Sequence, residues 1–215
     1  MSSVGEDSIL PSMAFTAPHE GATLDVVLID LAKWGQNGLL ATREQGEEAR
    51  AALHWELLSS LDYTPIGIEV QNVEAMSFPF ADSFFGLLLG GWVSGYYDNR
   101  PVVVLGASRP VAETIDAVLK LHKMGVIARS SEGDPELLGG EPALHEAIAA
   151  AATLGEKFSA SQLGTELGVS PQAMNNRLKA LLRMGALVRE PVVVPGGGRE
   201  FMYRVTDAHT AETHS

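Results

Sequence analysis

Three apolar runs rich in β-branched residues, each followed by a segment of helical pattern, do most to restrict how this chain folds. They are "LDVVLIDLAK" from Leu24, "PIGIEVQNV" from Pro65 and "RPVVVLGAS" from Arg100. Such runs read as largely buried strands. After the turn "WGQNG", the segment "TREQGEEARAALHWELLSSL" places Thr42 and Gln45 three apart, the spacing of a capping box. Ala49, Leu53, Leu57 and Leu61 then recur every four residues as one apolar helical stripe. "ADSFFGLLLGGWVSG" reads as a short, almost wholly apolar helix that is buried on most sides. "RPVAETIDAVLKLHKMG" reads as a helix with Pro110 at its start, Val111, Ile115, Val118 and Leu119 on one face, and Gly125 as its left-handed cap. "VIA" follows as a short strand. Strands alternating with helices at this spacing predict an α/β layer with a mainly parallel sheet.

The pattern changes at "RSSEGDPELLGGEP", a polar stretch with Gly and Pro that reads as a linker over 131–141. Beyond it come an Ala-rich helix, "ALHEAIAAAATLG", and a short one, "SASQLGTELG", with Ser159 and Gln162 in capping-box register. "SPQAMNNRLKALLRMG" is a third helix, with Ser170 as its cap and Pro171 in its first turn. Two β-prone runs, "ALVREPVVVP" and "REFMYRVT", flank "GGG" as a hairpin. The expected organisation is a disordered segment 1–22, an α/β domain 23–130, the linker, a small α+β domain 142–206 and a disordered tail 207–215.

Charge is divided unevenly. The 215 residues carry a formal net charge of −12, with 8 basic and 19 acidic residues in 1–140. Between 170 and 205, however, Arg177, Lys179, Arg183, Arg189, Arg199 and Arg204 face only Glu190 and Glu200, a local net of +4. An acidic protein with one basic segment is compatible with nucleic acid at that segment alone. There is no cysteine, which excludes disulfides, thiol catalysis and iron–sulfur clusters. No apolar run approaches about 18 residues, and the first residues lack a signal-peptide pattern. A cytoplasmic location without membrane contact is expected.

In the third helix of the C-terminal part, Met174, Leu178, Leu181 and Leu182 form the buried stripe, and Gln172, Asn175, Asn176, Lys179 and Arg183 fall on other faces. Gln and Asn suit adenine edges, while Arg suits guanine or phosphate. Residues 142–206, and above all "FSASQLGTELGVSPQAMNNRLKALLRMGALV", resemble the winged helix-turn-helix domains of MarR-like bacterial transcription regulators. The resemblance implies a homodimer bound to double-stranded DNA. It assigns Ser170, Gln172, Asn175, Asn176 and Arg177 to base or phosphate contacts, Lys179 and Arg183 to flanking phosphates, and Arg199 to the wing. A winged helix that meets only proteins is the alternative.

"IGIEVQNVEAMSFPFADSFFGLLL" carries a second resemblance, since a strand, a polar turn and a Ser-containing step into an apolar helix are similar to the STAS fold of anti-sigma-factor antagonists. With "TREQGEEAR" upstream, residues 24–129 look like the STAS-like family found beside helix-turn-helix modules. In antagonists a serine at this step is phosphorylated, and position assigns that role to Ser77. Met76, Phe78 and Pro79 replace the antagonists' Asp-Ser-Ser-Gly surroundings. The competing role for Ser77 or Asp82 is to cap the helix. Ser77, Asp82 and Ser83 are the candidate regulatory or partner-contact residues, and the surrounding phenylalanines read as core or in part as a dimer surface.

No phosphate loop, nucleophile elbow or metal-ligand spacing is present in the sequence, so no enzyme, cofactor or metal site is expected. The two functions to separate are a DNA-binding regulator with a STAS-like sensor or dimerisation domain, and a partner-switching protein that acts through protein contacts.

Overall fold

The computed structural model describes residues 27–59, 66–93, 100–129, 135–193 and 199–206. The described chain is a mixed α/β protein around a mostly parallel central sheet. Strand β1 (Val27–Asp30) ends in a 3₁₀ turn at Leu31–Trp34, because the Asp30 carboxylate accepts from the Ala32 N–H at 3.0 Å and caps it. The expected strand through Lys33 is therefore shorter. β2 (Leu39–Leu40) leads into α1 (Arg43–Ser59), where the Thr42 hydroxyl accepts from the Gln45 N–H and the Gln45 side chain accepts from the Thr42 N–H. β3 (Ile66–Glu69) and β4 (Ala75–Met76) follow.

A continuous helical stretch comes next: α2 (Phe78–Ala81), a π-helical segment Asp82–Gly86, and α3 (Leu87–Val93). It begins three residues before the expected start at Ala81, because Ser77 caps it. Phe80, Phe84 and Phe85 are completely buried, with Phe84 and Phe85 edge to face at 4.9 Å, whereas Phe78 remains 45% exposed. β5 (Val102–Leu105) precedes α4 (Arg109–His122), whose apolar face Val111, Ile115, Val118 and Leu119 is buried as expected.

Two features depart from expectation here. The left-handed cap of α4 is Lys123 (φ 56°), and Gly125 instead opens β6 (Gly125–Arg129). A Cβ on Gly125 would stand 3.1 Å from the Met184 sulfur and 3.2 Å from Leu137, so glycine serves close packing there. The stretch expected as a linker contains β7 (Pro135–Gly139), hydrogen-bonded antiparallel to β6. The central sheet therefore runs β1-β3-β5-β6-β7, parallel except at its last strand.

The remainder is α5 (Pro142–Leu154), β8 (Phe158–Ser159), α6 (Ala160–Glu166), α7 (Pro171–Arg183), β9 (Leu187–Val193) and β10 (Arg199–Val205), with a small sheet ordered β8-β10-β9. Side chains alternate across a strand, and β5 to β7 bury both faces. Val102, Val104, Val126, Ala128 and Leu138 join the core under α1 and α4. Val103, Ile127 and Leu137 join a second core with Leu144 and Ile148 of α5, Leu163 of α6 and Met174, Leu178 and Leu181 of α7. The C-terminal helices are thus packed on the sheet itself. Among the described residues no helix is long and apolar enough to cross a membrane.

Candidate nucleic-acid interface

α6 and α7 are set by two local devices. Ser159 and Gln162 form both bonds of a capping box, at 3.2 and 2.8 Å. The chain then turns through Gly168 in the left-handed region (φ 62°) and restarts at Ser170, whose hydroxyl accepts from the Ala173 N–H at 3.3 Å. That hydroxyl keeps its own proton to donate. Burial of Met174, Leu178 and Leu181 fixes the rotation of α7 about its axis. Gln172, Asn175, Asn176, Lys179 and Arg183 are consequently all exposed, and their spacing places them along one side of the helix.

Arg177 does not join them. Its guanidinium lies 3.3 Å from Glu146 of α5 and its side chain is only 19% exposed, so in this structure it ties α7 to α5 instead of standing free on the outer side. Helical geometry accounts for this: five residues beyond Gln172 is well over a quarter turn away from the exposed stripe. Gln172 Nε2 approaches Asn176 Oδ1 at 3.5 Å, at the edge of hydrogen-bond range. Lys179 and Arg183 have no ion-pair partner among the described residues.

The β9–β10 ribbon next to α7 holds its charges more tightly. The Arg189 guanidinium lies 4.3 Å above the Phe201 ring. Glu190 accepts from Lys157 at 2.8 Å and from Arg204 at 3.3 Å. The Lys157 hydrogen bond holds the Glu190 carboxyl below its ordinary range, and the same bond raises Lys157. The sequence offered no sign of this clamp, since its members are 33 and 14 residues apart. Arg199 pairs through its backbone with Val193, while its side chain and the tip at 194–198 lie outside the described residues.

A cleft of about 430 Å³ beside α7 is lined by Lys120, Lys123, Glu141, Asn176 and Arg177. Its cations are partly neutralised, because Lys120 bonds Asp116 at 2.7 Å and Arg177 bonds Glu146.

At the N-terminal junction the candidate side chains are engaged internally. The Ser77 hydroxyl donates to the Ala41 carbonyl at 2.6 Å and accepts from the Phe80 N–H at 3.3 Å. Asp82 binds His122 Nε2 at 2.7 Å and Arg43 at 3.3 Å, and the His122 bond keeps its carboxyl below the ordinary range. His122 is 35% exposed and ties the end of α4 to the π-helical segment. Ser83 is completely buried, which removes it from any contact surface. The cause is Gly46 of α1, whose missing Cβ would sit 2.9 Å from that of Ser83. Among the described residues no three His, Asp or Glu side chains converge as metal ligands would.

Compared with known protein families, with curated proteins and with solved structures, the chain matches none of them.

Proposed function

We propose that residues 142–206 form a winged helix-turn-helix that reads double-stranded DNA, and that the protein is a cytoplasmic transcription regulator acting as a homodimer. The observation that carries this reading is the exposed side of α7. Its buried face is fully apolar, while its outer face presents Ser170, Gln172, Asn175, Asn176, Lys179 and Arg183, several with no internal partner to satisfy. The order α5-β8-α6-α7-β9-β10, with β8 added to the ribbon edge, supports it. A helix of this kind enters the major groove with its first turns on base edges, and the ribbon follows the adjacent backbone.

Residues 24–129 are then the STAS-like part, which dimerises or receives the signal. Because β5 to β7 bury residues against α5 to α7, a signal reaching the sheet acts on the DNA-reading helices through packed contacts. Such a signal works only if it favours one arrangement over another.

Anisotropy of a labelled random-sequence duplex at low salt tests the reading with the full chain. Binding that falls sharply in Lys179→Glu and Arg183→Glu, with thermal unfolding unchanged, supports it. Absence of binding by the unaltered protein contradicts it, as does binding indifferent to both substitutions. A solution mass of one chain contradicts the homodimer.

A further inference from the structure

We infer that α7 selects adenine, so that each half-site carries two or three adjacent A·T pairs under its first two turns. The inference rests on the DNA-reading proposal and deepens it. On the exposed side of α7, positions 172, 175 and 176 are all carboxamides, and the first cation on that side is Lys179, in the following turn. The one arginine within those first turns, Arg177, is drawn aside by Glu146.

The chemistry of the base edges decides what such a surface accepts. Adenine presents a donor, N6–H₂, beside an acceptor, N7, and one carboxamide supplies the matching oxygen and NH₂. Guanine presents two acceptors, O6 and N7, which a guanidinium fork meets with two separate N–H groups, whereas a carboxamide meets them with its NH₂ alone and leaves its oxygen without a base partner. A carboxamide oxygen brought against either acceptor of guanine is left unpaired and repelled. With Arg177 paired to Glu146, no free guanidinium fork is presented at these positions in this structure. Lys179 and Arg183, further along, are placed for phosphates rather than for the first bases.

Spacing sets the length of the element. From Gln172 to Asn176 the helix rises about 6 Å, close to two base steps of 3.4 Å along one strand. Two or three consecutive base pairs are therefore within reach of the three carboxamides.

Selection from a randomised duplex library with the full-length protein tests the inference. Enriched duplexes should share adjacent A·T pairs, and Asn175→Ala and Asn176→Ala should each relax one position and weaken the selected site about tenfold to a hundredfold. Both substitutions are on an exposed helix surface, where Ala favours helix, so unfolding should be unchanged. Asn176→Arg should shift the affected position from A toward G. Selected sites with G·C at the positions these substitutions alter, or binding without sequence preference, would overturn the adenine assignment while leaving DNA binding intact. Failure of the unaltered protein to bind any duplex at low salt overturns both.

Discussion

Two serines in this protein start helices in the same way and lead to opposite surfaces. Ser77 and Ser170 each accept from the N–H three residues on, both at 3.3 Å, and each has a proline in the following turn. After Ser77 the side chains turn inward: Phe80, Phe84 and Phe85 are buried, Ser83 is enclosed, and Asp82 is held by His122 and Arg43. After Ser170 one face is core and the other is a row of polar groups in solvent. A cap says where a helix begins, and only the satisfaction of the residues behind it tells structure from recognition. A phosphoryl group on Ser77 would remove the hydroxyl proton that bonds the Ala41 carbonyl.

The contrast can be broken by substitution. The largest effect is expected from Phe84→Ala, which should cost about 3–5 kcal/mol in denaturant unfolding, against less than about 0.5 kcal/mol for Asn175→Ala. A comparable cost at Asn175 would make the α7 stripe a packing surface. Asp82→Asn should cost about 1–2 kcal/mol, because it weakens charge-assisted bonds to His122 and Arg43. Its pH dependence carries a definite sign. The folded-state carboxyl lies below its ordinary value, so its contribution is complete above that value and is lost as pH falls through the folded one. Acid unfolding curves of the wild type should therefore slope more steeply below about pH 4 than those of the Asn variant.

Ser77→Ala should cost roughly 1 kcal/mol for the cap and more for the lost bond to Ala41, so it should exceed Ser170→Ala. Equal losses would erase the distinction between the two junctions. The smallest effect is a gain. Lys123 holds a left-handed backbone that glycine adopts without strain, and Lys123→Gly should raise stability by up to about 1 kcal/mol, net of the added freedom of the unfolded chain.

Much of the layered α/β architecture was legible, because it rests on local signals. Both capping boxes form as their spacing indicates; Ala49, Leu53 and Leu57 of α1, the expected face of α4, and Met174, Leu178 and Leu181 of α7 are buried, whereas Leu182 is half-buried and Leu61 lies outside the described residues. What escaped depends on contacts between distant segments. "PELLGG" resembles a linker because its two leucines are flanked by Pro and Gly, yet Leu137 and Leu138 enter opposite cores. Gly125 follows a helix as a cap would, but the approach of Met184 explains it better. Arg177 sits among the polar residues of α7 in sequence, and its pairing with Glu146, 31 residues earlier, comes only from the packing of α5 beside α7. Ser83 could not be placed because a π-helical segment shifts the helix register that its neighbours imply.

The salt dependence of duplex binding shows whether α7 presents a nucleic-acid surface. Log K should fall linearly with log salt, with a slope shallower by about 0.9 for each of Lys179→Ala and Arg183→Ala. A slope unchanged by both substitutions, or no binding at low salt, would contradict it.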